Sequence, residues 1–121
     1  MKDSLLRVKS FAFALRTIKL QQYLVESRQE YILSKQVLRS GTSIGANVEE
    51  SIHAQSRADF IHKLSVAQKE AGETSYWLRL LRESGMLTAK QAESLTADCE
   101  ELQKLLAATI KTSKRGLNSK R

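Results

Sequence analysis

The 121-residue chain has no proline, one cysteine and few aromatic residues, and each shortage excludes something. Without proline, nothing in the chain forces a helix to kink or stop. A lone cysteine, Cys99, excludes an internal disulfide framework and any cysteine-rich zinc site, and it fits a reducing cytoplasm. No apolar run approaches the length that spans a bilayer. The opening residues are interrupted by charge too often for a secretory signal. A cytoplasmic protein with no membrane partner is therefore expected.

Leu, Ala, Gln, Glu, Lys and Ser dominate, all compatible with helix. Their apolar members recur in steps of three and four, the spacing of one helix face. Four helices are predicted. The first, from about Ser4 to Glu26 with Asp3 or Ser4 as its cap, carries two apolar stripes. Val8, Phe11, Leu15, Ile18 and Val25 form what reads as the main stripe. Leu6, Phe13, Leu20 and Leu24 form a second about half a turn away. One apolar face suffices to join a bundle, so the second implies burial against another subunit. Leu6, Phe13, Leu20 and Leu24, with Trp77, are the expected oligomer interface.

The second helix, Glu30 to Ala54, passes through Arg39 to Ser51, a stretch that looks like a glycine-rich loop. Yet Val37, Gly41, Ile44, Val48 and Ile52 stay in helical phase through it. Each interior glycine destabilises a helix by about 1 kcal/mol relative to alanine. Close approach of a neighbouring helix is the usual compensation, and Ser43 and Asn47 are expected to hydrogen-bond across that contact. Arg39 and Glu49 are expected to pair within or between subunits. Ser56 to Asp59 has capping-box spacing and starts a third helix to Glu83, with Phe60, Leu64, Ala67, Ala71, Thr74 and Leu78 inward. Ser84-Gly85 supplies the stop. Thr88 to Gln91 is a second capping box, with Leu87 stapled against Ala92. It opens a fourth helix to about Thr112, with Leu95, Cys99, Leu102, Leu106 and Ile110 inward. The fold class is thus all-α: an antiparallel up-down-up-down four-helix bundle over residues 1–112. Residues 113–121 read as a flexible basic tail.

The net charge of +7 is unevenly spread. Residues 1–40 hold eight basic and three acidic groups, residues 41–110 seven and ten, and residues 111–121 five and none. Two basic ends around an acidic middle point to an anionic partner, most economically nucleic acid. Lys2, Lys9 and Arg16 recur every seven residues along the first helix, and Lys19 follows Arg16 by one turn. Lys35 and Arg39 share a face of the second helix, and Lys111, Lys114 and Arg115 lead the tail. These nine are the candidate nucleic-acid contacts. No aromatic residue is interleaved with them, so sequence-specific readout of single strands is not expected.

From Gln36 to Ile52 the chain resembles an Arg-Ser-x-x-Ser-Ile-x-Ala-Asn-Ile/Val-x-Glu pattern. The likeness continues through Asp59-Phe60, Lys63-Leu64, Ala67, Lys69 to Ala71, Glu73, and Tyr76 to Leu81. The pattern is that of the four-helix-bundle family that includes the proteins encoded by intervening sequences of bacterial 23S rRNA genes. That family also includes the Avd accessory proteins of diversity-generating retroelements. The resemblance covers about residues 5 to 110. It implies a homo-oligomer, typically a pentameric barrel, with no catalytic activity. For Avd-type members it also implies binding of nucleic acid and of a reverse transcriptase through a basic surface.

The remaining motifs weigh against chemistry. Glu50-Ser-Ile-His53 is half of a carboxylate-bridged di-iron pattern, but the other half is missing and His62 follows only Asp59. Gly41 to Gly45 lacks the Gly-Lys-Ser/Thr and the preceding strand of a phosphate loop. Cys99 sits among Asp98, Glu100 and Glu101, which disfavour a thiolate. No catalytic residue, metal site or cofactor is expected. Two readings remain: an oligomeric bundle that binds RNA or DNA backbone, as an accessory to a reverse transcriptase or an rRNA-associated element, and a protein–protein scaffold whose charge serves solubility.

Overall fold

The computed structural model describes residues 2–119. Its helices are α1 (Lys2–Arg28), α2 (Leu33–Ile52), α3 (Arg57–Glu83) and α4 (Ala89–Ser119), with no strand among the described residues. α1 packs on α2, α2 on α3, α3 on α4, and α4 more sparsely back on α1, while the backbones of the diagonal pairs stay apart among the described residues. This is the antiparallel up-down-up-down bundle that short connections enforce.

Each helix buries a seam that alternates steps of three and four. In α1 it is Leu6, Ser10, Phe13, Thr17, Leu20 and Leu24. In α2 it is Ser34, Val37, Gly41, Ile44, Val48 and Ser51. In α3 it is Leu64, Ala67, Ala71, Thr74, Leu78 and Leu81, and in α4 it is Ala92, Leu95, Cys99, Leu102, Leu106, Thr109 and Ser113. Such seven-residue repeats are the signature of coiled-coil packing. The expected seam of α4 is buried as read, and that of α2 is too as far as Val48; that of α3 is buried from Leu64 on, while Phe60 is only half-buried and Ile61 takes the inward position. Ile52 closes α2 and is exposed, while Ser51 takes the inward position.

The two stripes of α1 are the reverse of the sequence reading. Leu6, Phe13, Leu20 and Leu24 are core residues at 5% exposure or less, so they are not available as an oligomer interface. Val8, Phe11, Leu15 and Ile18 face outward at 66, 67, 48 and 40% exposure. The reason lies on α2. A Cβ on Gly41 would sit 2.4 Å from Thr17 Cγ2, and one on Gly45 would sit 3.3 Å from the Ser10 carbonyl oxygen. Only small side chains fit there, and the Leu6–Leu24 stripe carries Ser10 and Thr17 at those two points. Their hydroxyls donate to Arg7 O and Ala14 O of their own helix, so neither is left unsatisfied. Trp77 is half-buried against the core, and its Nε1 donates to Glu73 at 3.0 Å.

The helix ends follow local chemistry. Gln29 adopts φ +50°, turning the chain without a glycine, and the Glu30 carboxylate then accepts from the backbone N–H groups of Ile32, Leu33 and Ser34. Because Glu30 acts as a cap, α2 begins at Leu33 rather than at Glu30. Ser56 accepts from Asp59 N, and Thr88 and Gln91 bond each other reciprocally, as the capping boxes require. Gly85, at φ +80°, ends α3 with Met86 N donating to Leu81 O and Gly85 N to Arg82 O. α4 continues to Ser119, so the stretch expected to be a flexible tail from residue 113 is helical to that point. Ser113 extends the buried seam, and Gly116 lies against the Arg57 guanidinium.

The glycines make a graded test. Gly41→Ala is expected to destabilise the protein by about 1–3 kcal/mol despite alanine's better helix propensity. Thr17→Ser, which removes the clashing methyl, should recover part of that loss in the double variant. Gly72, where an added Cβ meets nothing within 4 Å, should give the opposite sign. Gly72→Ala is expected to stabilise by up to about 1 kcal/mol. Urea denaturation of the three variants measures all of these.

Candidate nucleic-acid interface

Ordering the helices decides which cations are free. The antiparallel register brings Lys9 and Arg16 of α1 against α4. There Lys9 Nζ bonds Glu101 at 3.1 Å and Arg16 bonds Asp98 at 2.7 Å. Arg16 also donates to the backbone carbonyl and hydroxyl of Ser94 at 3.2 and 3.1 Å. These are the flanking ion pairs of a coiled coil, and they brace the sparsest of the four helix contacts. On α2, Arg39 donates to Gln36 and reaches across to Glu70 and Glu73 of α3. Arg7 and Glu49 tie α1 to α2 at 2.7 Å, and Lys63 and Glu50 tie α3 to α2 at 2.9 Å. Arg39 and Glu49 thus both pair within the chain, though not with each other. Asn47 bonds Ser43 O of its own helix at 2.9 Å rather than reaching across to α1.

Hydrogen bonding to Arg7 holds the Glu49 carboxyl below its ordinary range and raises the Arg7 guanidinium. The Glu50 carboxylate likewise raises Lys63. Lys9, Arg16 and Arg39 therefore stand in the structure as interhelical links with their charge already matched. Lys19 and Lys35 are exposed and form no ion pair among the described residues. Lys19 lies on a shallow α1–α4 cleft with Tyr23 and Gln91. The side chain of Lys2, like Lys120 and Arg121, lies outside the described residues.

The last part of α4 differs in kind. After Glu101 the chain contains no acidic residue. Lys104, Lys111, Lys114 and Arg115 are exposed and form no ion pair among the described residues. Lys104, Lys111 and Arg115 follow one another at helical spacing, so they share a face. The approach of Arg57 to Gly116 adds the start of α3 to the same end of the bundle. The carbonyl end of a helix dipole favours cations here. Lys104 and Arg57 were missed as candidates. The absence of any acid after Glu101 was visible in the chain, but a fourth helix ending at Thr112 hid its continuity.

The other motifs find structural partners. Glu50 is bonded to Lys63, and no three His, Cys, Asp or Glu side chains converge as a metal site among the described residues. Cys99 is buried, its thiol donates to Ala71 O at 3.3 Å, and burial pushes its pKa up. Such a thiol is a poor nucleophile.

A family model described as 23S rRNA-intervening sequence protein matches residues 2–108. Among solved structures, the chain is similar to a protein of unknown function from the S23 ribosomal protein family of Bacteroides thetaiotaomicron. The two share 52% identity with a TM-score of 0.91, over 92% of this chain and 99% of that one. No curated protein matches.

The division between matched and free cations is testable by stability alone. Arg16→Ala is expected to lower stability by up to about 1 kcal/mol, an effect that shrinks at high salt. Lys19→Ala and Lys114→Ala should leave it unchanged. Urea midpoints at low and high ionic strength read the difference.

Proposed function

The chain belongs to the 23S rRNA-intervening sequence protein family, and from that premise we propose that it is a non-catalytic oligomeric scaffold that holds nucleic acid by its backbone. The observation that carries this reading is the purely basic end of α4. Its exposed Lys104, Lys111, Lys114 and Arg115 have no carboxylate drawn to them among the described residues. Cations already paired within a protein must lose a partner to take up a phosphate; these need not. Phosphate contacts of this kind fix no sequence and weaken steeply with salt.

The oligomer rests on a second observation. Val8, Phe11, Leu15 and Ile18 form an apolar stripe in steps of three and four along the outside of α1. A stripe of that length on a helix with its other face already in the core is suited to a second copy of the chain. The family resemblance sets the expected number of copies at five. Repetition around a ring would multiply a weak basic site by avidity.

Fluorescence anisotropy with a labelled RNA and a labelled DNA duplex tests the binding. Affinity is expected to fall linearly on logarithmic axes as salt rises. Replacing Lys111, Lys114 and Arg115 together with alanine should flatten the slope by roughly two to three units. Lys9→Ala should leave it unchanged. No binding at low salt overturns the reading in favour of a protein-binding scaffold.

Light scattering after size exclusion tests the assembly. The wild type is expected to elute as an oligomer, and Phe11→Glu as a folded monomer with unchanged helical circular dichroism. A monomeric wild type at tens of micromolar, about the concentration at which weak interfaces still assemble, overturns it.

A further inference from the structure

The outer face of α3 carries a feature that neither the core nor the α4 end accounts for. Tyr76 is half-exposed, yet its ring is held edge-on by Trp77, with centroids 5.3 Å apart and planes at 64°. Trp77 is itself fixed by its bond to Glu73 and by packing on the core. Tyr76 therefore presents an oriented aromatic surface rather than a mobile one. It borders a groove of about 380 Å³ between α3 and α4, at the small end of the range for ligand clefts. Leu78 and Ser75 contribute to the groove from α3, and Thr96 and Glu100 from α4.

Two further observations concern the same groove. Arg79 and Arg82 line it, and Lys69 lies one turn before it on the exposed side of α3. None of the three side chains makes an ion pair or hydrogen bond among the described residues, although Arg7, Arg16, Arg39 and Lys63 all find carboxylates. Gly72, one turn before Tyr76, also lines the groove. Gly41 and Gly45 are explained by helices pressed against them, but nothing lies within 4 Å of where a Gly72 Cβ would be. A glycine in an exposed helix interior weakens the helix with no packing in return. It does leave the backbone beside Tyr76 open to a flat ligand.

We propose that this groove holds an unpaired nucleotide of single-stranded nucleic acid, its base stacked on Tyr76 over the space at Gly72 and its phosphate held by Arg79 and Arg82. Ser75, Thr96 and the Glu100 carboxylate supply acceptors for base amines or a ribose hydroxyl. An anionic ligand that is also flat and aromatic meets all three features at once. An acidic peptide would use the arginines but leave the tyrosine and the glycine without a role. Stacking is tolerant of base identity, so the site adds affinity for single strands rather than sequence readout. The inference rests on the nucleic-acid reading given above and assigns it a second site, nearer the start of α4 than its basic end.

Trp77 is the chain's only tryptophan, so its emission reports on Tyr76 directly. The experiment titrates the full-length protein with an oligouridylate, an oligoadenylate and a fully paired RNA duplex, recording Trp77 fluorescence and anisotropy. Single strands are expected to change the emission and the duplex to leave it unchanged. Tyr76→Ala should weaken single-strand binding roughly five- to a hundredfold while leaving duplex binding as it was. Tyr76→Trp should retain the affinity. Gly72→Gln should weaken single-strand binding while raising thermal stability, which separates a blocked groove from a damaged fold. If single strands bind the wild type and Tyr76→Ala equally well, the stacking site is wrong and the backbone reading stands. If neither single strands nor duplex bind the wild type at low salt, both fall together.

Discussion

The close approach of α1 and α2 is the constraint on which the rest of the molecule depends. Gly41 and Gly45 bring α2 so near that α1 must offer Thr17 and Ser10 at the contact. That requirement fixes the rotation of α1 about its own axis. Phe13 and Leu20 then point into the core, and Phe11 and Leu15 point out. Either stripe of α1 is apolar enough to fill a core, so hydrophobicity alone does not choose between them. Sterics at two glycines do. The same rotation places Lys9 and Arg16 beside α4, where they become links between helices.

Charge in this protein therefore does two jobs that composition cannot separate. An antiparallel bundle with seven-residue repeats puts positions beside the seam next to those of the neighbouring helix, and Lys9, Arg16, Arg39 and Lys63 meet carboxylates there. Exposed pairs of this kind add little stability each, but they fix which helix faces which. The cations left over meet no carboxylate among the described residues. They include Lys19 and Lys35, those on the far end of α4, where the chain has run out of acids, and those on the outer side of α3. A net charge of +7 thus overstates the attraction along α1 and understates it elsewhere.

Much of the architecture was legible in the chain because it is set locally. Capping boxes at Ser56 and Thr88, the stop at Gly85 and the seams of α3 and α4 each involve residues within a turn or two of one another. The need for a tight neighbour at Gly41 and Gly45 was legible too. Which face of α1 supplies that neighbour was not, because Ser10 and Thr17 read as polar interruptions of a stripe. Glycines four residues apart on one helix ask for small residues facing them on the next, and that pairing is the signal the apolar pattern conceals. The start of α2 went the same way. Glu30 reads as a first helical residue, but its carboxylate occupies the free N–H groups of the turn that follows. The candidate site was least legible, since a cation's freedom depends on partners far away in sequence: 92 positions separate Lys9 from Glu101.

The order of the helices also determines whether the proposed surfaces can operate together. α1 and α3 are diagonal in the bundle, and their Cα atoms do not come within 8 Å of each other among the described residues. An assembly that covers Val8, Phe11, Leu15 and Ile18 therefore uses the side of the bundle opposite Tyr76, Arg79 and Arg82. The basic end of α4 lies beyond the α1–α4 ion pairs, at the pole where α3 begins, rather than on the apolar stripe itself. Oligomerisation through α1 would thus leave every copy's groove and every copy's basic end open to solvent. A single strand long enough to pass from one subunit to the next would find the same pair of sites repeated, with each contact raising the local concentration for the following one. Such an arrangement needs no strong individual site, which fits a surface built from unpaired cations and one oriented tyrosine.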